Sequence, residues 1–269
     1  MITHCNTAMT LLKNKNIVII GGTTGIGLSA AKAFVDNGAN VIVVGRNAES
    51  AGAAKTELGD KSEAIVADAV HPDTTVNAIE TCISKYGSFD GLYHVAGGSG
   101  RKMGDGPLDL LTLEGWNRTM ELNLTSLMLS NQAAVKKFLA LRTGGTILNM
   151  GSVLGYSPSP TYFSTHAYAA AKSAVIGFTK SVAAYYAKDN IRVNVIAPAL
   201  VETPMAQRAS QDEQILLFIK SKQPLDGGRV GQPDDLDGLS VYFMSDQSKF
   251  TTGQVVSIDG GWSISEGQY

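Results

Sequence analysis

Short runs of apolar, mostly β-branched residues alternate along this chain with longer stretches whose apolar residues recur at helical spacing. Asn16 to Ile20, Val41 to Val44, Glu63 to Ala67, Phe89 to Val95, Thr146 to Met150, Ile191 to Ile196 and Val255 to Ile258 read as strands. Gly25 to Asn37, Ala48 to Leu58, Pro72 to Tyr86, Leu113 to Leu141 and His166 to Lys188 read as helices between them. Strands without a polar face must be covered on both sides. A strand–helix–strand order supplies that cover, because parallel neighbours need a crossover that packs on the sheet.

The expected fold class is therefore α/β: a single doubly wound parallel sheet of about seven strands, the Rossmann arrangement, with helices on both faces. No repeat, low-complexity tract or linker divides the chain, so residues 1–269 are expected to form one domain behind a flexible tail at 1–12. Hydrophobic residues make up 44% and charged residues 17%, which excludes disorder and provides a sizeable core. The formal charge of −2 gives no electrostatic footprint for nucleic acid or an anionic membrane. The longest apolar run, Val182 to Ala187, is far short of the ~20 residues that a membrane span needs. Cys5 and Cys82 read as reduced thiols. With no secretory signal at the N-terminus, the expected location is the cytoplasm. His4, His71, His94 and His166 form no ligand-spaced cluster, and no metal is expected.

Glycine stands out, at 29 of 269 residues against an average near 7%. The first strand runs into Gly21-Gly22-Thr23-Thr24-Gly25-Ile26-Gly27 and then a helix. Glycines there let backbone N–H groups approach a pyrophosphate, and the helix N-terminus adds partial positive charge. The spacing is GxxxGxG rather than the commoner GxGxxG, but its place between a buried strand and a helix is the one a dinucleotide needs. After the second strand, Val44-Gly45-Arg46-Asn47 has no acid to accept from ribose hydroxyls. Small Gly45 leaves room for a 2′-phosphate, and Arg46 would pair with it. NADP(H) is therefore expected over NAD(H), with NAD(H) the alternative.

Tyr168-Ala169-Ala170-Ala171-Lys172 places a phenol and an ammonium on one face of an Ala-rich helix, and Ser152 ends a buried strand upstream. With these residues the sequence resembles the short-chain dehydrogenase/reductase family from about residue 13 to 264. The resemblance also rests on the Gly21–Gly27 turn, Asp68, Ala96-Gly97, Asn123, Arg192-Val193-Asn194 leading to Pro198 and Thr203, Thr252-Gly253-Gln254, and Asp259-Gly260-Gly261.

The family implies roles for these positions. Tyr168 would exchange the proton as a carbonyl and a secondary alcohol interconvert by hydride transfer. Lys172 would lower the phenol pKa and bind the nicotinamide ribose. Ser152 would hold the substrate oxygen, and Asn123 would position a water between Lys172 and solvent. Gly21, Thr23, Thr24, Gly25, Ile26, Gly27, Arg46, Asp68, Ala69, Ala96, Gly97, Pro198, Val201 and Thr203 would line the cofactor, Asp68 bonding the adenine amino group and Val201 and Thr203 the carboxamide. The family also implies a small-molecule carbonyl or alcohol substrate and a homotetramer, or a dimer, pairing the two long helices. Residues 202–229, with the apolar run Ile215 to Ile219, would form a substrate lid.

The sequence departs from the family in places. Ile20 stands where Thr usually ties the turn to a neighbouring strand. His94 stands in place of an Asn, and a structural hydrogen bond is expected of it. Ala199 stands in place of a Gly, in an ordinary conformation. The segment between Ser152 and Tyr168 is long, and Tyr156, Tyr162 and Phe163 would pack on substrate or on another subunit. The substrate stays open between a 3-oxoacyl-carrier-protein reductase-like and a sugar or polyol dehydrogenase activity, with Lys136 and Lys137 a basic pair to watch. A non-catalytic NADP(H) sensor and an epimerase or dehydratase are the readings of other classes.

Overall fold

A computed structural model describes residues 10–267. Seven strands form one parallel sheet: β1 (Asn16–Ile20), β2 (Asn40–Gly45), β3 (Ser62–Val66), β4 (Gly91–His94), β5 (Gly145–Met150), β6 (Ile191–Pro198) and β7 (Val255–Ile258). Their spatial order is β3-β2-β1-β4-β5-β6-β7. The order reverses between β1 and β4, and sheets of this order open a crevice there, beyond the carboxyl ends of the strands.

Side-chain alternation in the strands divides the core in two. Ile17 and Ile19 of β1, with Val41 and Val43 of β2, face α1 (Gly25–Asp36) and α2 (Ala48–Leu58). Val18 and Ile20, with Ile42 and Val44, face α3 (Pro72–Tyr86) and the long helix before β5. Both faces are buried, which is why these strands are apolar without alternation. Gly87, in the left-handed region at φ 87°, ends α3 as a glycine C-cap.

The stretch expected as one helix from Leu113 to Leu141 runs in three parts. They are α4 (Leu113–Met120), a π-turn at Glu121–Thr125 and α5 (Ser126–Leu141). The wider turn contains Asn123, and π-turns of this kind gather at functional sites. After β5 come α6 (His166–Tyr186), then, beyond β6, α7 (Gln207–Ser210), α8 (Glu213–Lys222) and α9 (Asp237–Met244). The sequence reading assigned no helix to α9, although Pro233 at the first position of the preceding 3₁₀ turn and the carboxylate cap of Asp235 mark its start. Together with α1, α9 covers the first face.

Of the tail expected at 1–12, residues 1–9 lie outside the described residues. Its far end is corrected: Leu12 is fully buried in the first core cluster, its N–H donating to Asn37 O at 3.0 Å. Among the described residues, no helix is long and apolar enough to cross a membrane.

Candidate active site at the carboxyl ends of β1, β4 and β5

The glycine turn is fixed by backbone contacts. Gly21 N and Gly22 N both donate to Val44 O of β2, at 2.8 and 3.0 Å. Val95 N and Ala96 N both donate to Ile20 O, each at 2.8 Å. Ile20, which lacks the Thr hydroxyl, is thus tied to the segment after β4 through its main-chain carbonyl. Gly21 has a φ of +88°, and a Cβ there would lie 2.6 Å from Ala96 N. A Cβ on Gly27 would lie 2.0 Å from Gly21 O, so no side chain fits where α1 packs on the turn. Thr24 precedes α1 without a side-chain cap, and the first turn holds no acid. An uncapped helix N-terminus beside a glycine turn fits a pyrophosphate. Gly25 and Ile26 open that helix, Thr23 is buried, and Thr24 is exposed.

Arg46 is exposed just past β2, and no ion pair engages it among the described residues. Gly45 needs a different explanation from the one expected. A Cβ there would meet Thr23 Oγ1 at 2.1 Å, so packing against the turn already requires glycine before any phosphate is considered. Asp68 lies half-buried beyond β3 with Oδ1 accepting from Val70 N at 3.2 Å, and Ala69 beside it is buried.

Across the crevice, the loop after β4 is gripped by Asn123. Asn123 Nδ2 donates to Gly98 O and Thr119 O, both at 2.9 Å, and Oδ1 accepts from Gly98 N at 3.0 Å. A Cβ on Gly97 would sit 2.7 Å from Asn123 Oδ1 and 3.6 Å from Lys172 Nζ, which shows how closely the three converge. Lys172 is 3% exposed, and its Nζ donates to Met150 O at 2.8 Å. Burial pushes the Lys172 ammonium down to about 8. Ser152 is buried and opens a 3₁₀ turn, its Oγ accepting from Leu154 N at 3.2 Å.

Tyr168 is half-buried, with Lys172 Nζ 5.6 Å from its ring centroid. Lys172 was expected to pull the phenol down. Instead burial pushes Tyr168 above its ordinary value, and neighbouring Ser152 pulls it back. The ammonium donates to Met150 O rather than to the phenol, whose ring centroid lies 5.6 Å away.

His94 ends β4 and is buried between Ser130, with Nδ1 and Oγ 2.8 Å apart, and Ser126, at 3.4 Å from Nε2. Burial first, then the Lys172 charge, depresses it to about 3, so the ring is a neutral structural tie between β4 and α5.

Pro198 closes β6. Val201 forms an isolated parallel bridge with Gly231, and the Thr203 side chain lies over Gly25, where a Cβ would be 3.2 Å from Thr203 Cγ2. The chain leaving β6 therefore crosses the glycine turn. Ala199 is not among the positive-φ residues. Tyr162 and Phe163 pack on Phe218 and Trp262 of the same chain, with ring centroids 5.1 and 5.8 Å apart, so neither needs substrate or a second subunit as partner. The Tyr156 hydroxyl bonds Ser257 Oγ at 2.7 Å. Lys137 is ion-paired with Glu80 at the surface.

The sequence reading missed Asp105. It is buried, with Oδ1 accepting from Ala167 N at 3.0 Å and Oδ2 from Tyr168 N at 2.9 Å. It thereby caps α6 from a loop more than sixty residues upstream, at the turn that carries Tyr168. A carboxylate beside a helix start signals such a role when the two adjoin in sequence, and here they adjoin only in the fold.

The comparisons agree with this geometry. A family model described as enoyl-(acyl carrier protein) reductase matches residues 21–263. The chain belongs to the short-chain dehydrogenases/reductases. As a member it is an oxidoreductase, and the family works with a nicotinamide cofactor. It is 34% identical over 255 residues, 93% of this chain and 98% of the other, to the 3-oxoacyl-[acyl-carrier-protein] reductase FabG of Chlamydia muridarum. It is 30% identical to 3beta-hydroxysteroid dehydrogenase 2 of Eggerthella lenta, over 94% of this chain and 96% of the other. Among solved structures, the 3-ketoacyl-(acyl-carrier-protein) reductase of Brucella melitensis complexed with NADH superposes with a TM-score of 0.81 at 28% identity, over 94% of this chain and all of that one.

Proposed function

We propose that this short-chain dehydrogenase/reductase reduces a carbonyl to a secondary alcohol with NADPH, or runs the reverse, with Tyr168 as general acid/base. The observation that carries the reading is the convergence of Ser152, Tyr168, Lys172 and Asn123 on the side of the crevice facing the uncapped glycine turn. A bound nicotinamide supplies or accepts the hydride. Ser152 Oγ holds the carbonyl oxygen beside the Tyr168 hydroxyl, which donates its proton to the nascent alkoxide. Because burial holds the Tyr168 phenol high, it stays protonated at neutral pH, as reduction requires. Lys172 would hold the nicotinamide ribose. The Asn123 side chain is spent on the loop after β4, so a water leading from Lys172 to solvent uses its remaining lone pair or main-chain carbonyl.

Unpaired Arg46 and the lack of an acid after β2 support NADP(H), and Asp68 the adenine amino group. The FabG relative supports a 3-oxoacyl thioester as substrate, with a sugar or polyol the alternative. Residues 202–229 act as the lid: α8 buries Ile215 and Ile219 and leaves Leu217 exposed. The exposed face of α6, with Ser173, Gly177 and Tyr185, supports pairing into a dimer or tetramer, which light scattering tests. The reading places the protein in the cytoplasm.

Loss of NADPH absorbance over a panel of thioesters, ketoses and keto acids tests the reaction, and tight NADPH binding without turnover would favour a sensor. Arg46→Ala is expected to raise the KM for NADPH about tenfold and spare NADH, as loss of one charge-assisted contact would. An equal effect on both cofactors would remove the phosphate assignment.

A further inference from the structure

We propose that Arg101 and Arg208 form a subsite at the mouth of the cleft for an anionic group, carboxylate or phosphate, carried by the substrate. The inference deepens the reductase reading and rests on it for the position of the reacting carbonyl. Arg101 opens a short turn in the loop after β4, Arg208 lies on α7, and Tyr162 lies between Ser152 and Tyr168. These segments leave the carboxyl ends of β4, β6 and β5, the edge on which the cleft opens. Arg101 Nη2 donates to Tyr162 O at 2.9 Å, and Arg208 Nη2 approaches the same oxygen at 3.4 Å. Two guanidinium nitrogens therefore lie within about 6 Å of each other, where like charges repel.

The pair keeps unmatched positive charge in the described protein. Neither arginine belongs to an ion pair. One carboxylate, Asp105, bears on Arg101 and offsets part of its charge, while its oxygens accept from the amides of Ala167 and Tyr168 rather than from a guanidinium. Each guanidinium has five N–H donors, and the shared carbonyl takes one from each. Two planar forks around one neutral acceptor match an anion with several oxygens.

The location adds selectivity. The Arg101 loop is anchored to Asn123 through Gly98 and to the Tyr168 helix through Asp105, so Arg101 has a fixed relation to the catalytic groups. Arg208 belongs to the segment read as the lid. An anion bridging them ties the lid to the loop and orients the substrate from its charged end. That anion has two sources: the carboxylate of a small keto acid, or a phosphate of the carrier on an acyl thioester.

Two matched pairs separate them. Acetoacetate is compared with ethyl acetoacetate, and acetoacetyl-coenzyme A with its N-acetylcysteamine thioester, in the wild type, Arg101→Ala, Arg101→Lys and Arg208→Ala. Turnover and calorimetric binding to the NADPH complex are both read, in buffer without polyvalent anions. The wild type is expected to favour the anionic member of one pair about tenfold or more in kcat/KM, the worth of a charge-assisted hydrogen bond. Each Ala variant should lose that ratio, and Arg101→Lys should regain part of it. A preference in the first pair assigns a carboxylate, and in the second a phosphate. Equal use of both members by the wild type, or a ratio that survives both Ala variants, overturns the subsite. Tighter calorimetric binding of the anionic member, lost in the Ala variants but without turnover, would keep the subsite and remove the reductase reading. Turnover without anion preference would do the reverse.

Discussion

The two sides of the cleft are held by different kinds of bond. On the glycine-turn side, β1, β2 and β4 are joined main chain to main chain, by Gly21 N and Gly22 N to Val44 O and by Val95 N and Ala96 N to Ile20 O. On the other side, the parts meet through side chains. Asn123 grips Gly98, Asp105 caps the Tyr168 helix, Arg101 reaches Tyr162 O, and Trp262 Nε1 donates to Ser157 O at 3.2 Å. The first side has no room for a side chain at Gly21 or Gly27. The second depends on individual side chains, each replaceable only at a cost.

The sharpest separation comes from Tyr168→Phe. It should lower kcat by about a thousandfold, the worth of a positioned proton donor, while the Kd for NADPH measured by fluorescence changes little. A comparable loss of NADPH binding would mean that the two sides are not independent.

His94 sits where the sides meet, and pH probes it. Its folded-state value near 3 lies below the ordinary 6.5, so the unfolded chain binds a proton that the folded one refuses. Stability contributed by the neutral ring is complete above about pH 6.5 and is lost progressively as pH falls towards 3, a cost on the order of a few kcal/mol. Denaturant midpoints between pH 7 and 4 should fall more steeply for the wild type than for His94→Gln. Parallel curves would show that another group dominates.

Gly27→Ala tests the backbone side. A methyl forced against Gly21 O should cost about 1–3 kcal/mol and weaken NADPH binding. A variant with unchanged melting temperature and Kd would show that the turn yields more easily than its packing implies. Asp105→Ala tests the other side with the smallest effect. Loss of the carboxylate cap should cost about 1 kcal/mol and reduce kcat more than it raises the KM for NADPH, with Asp105→Asn restoring part of both. Full activity in Asp105→Ala would make the cap dispensable for placing Tyr168.

The glycine turn, the strands and most helices were legible because their signals are local. Apolar runs, glycine spacing and helix stops are read within a few residues. Residues Ser152, Tyr168, Lys172 and Asn123 were legible as motifs, but their contacts were not. Nothing near Lys172 in sequence announces Met150 O as its acceptor, and the expected pull on Tyr168 gave way to burial and Ser152. Gly45 was read as room for a phosphate because Thr23, which requires it, is distant in the chain and close only across the turn. Tyr162 and Phe163 had two plausible partners until α8 and Trp262 were placed beside them.

The sequence by itself determined a parallel doubly wound sheet, because strands apolar on both faces have few other ways to be covered. It also determined a glycine turn after β1, because only glycine allows the backbone to close there. Tertiary structure alone decided which groups are charged and which are spent. Protonation and hydrogen-bond commitment depend on burial and on partners tens of residues away, and those distances exist only once the chain has folded.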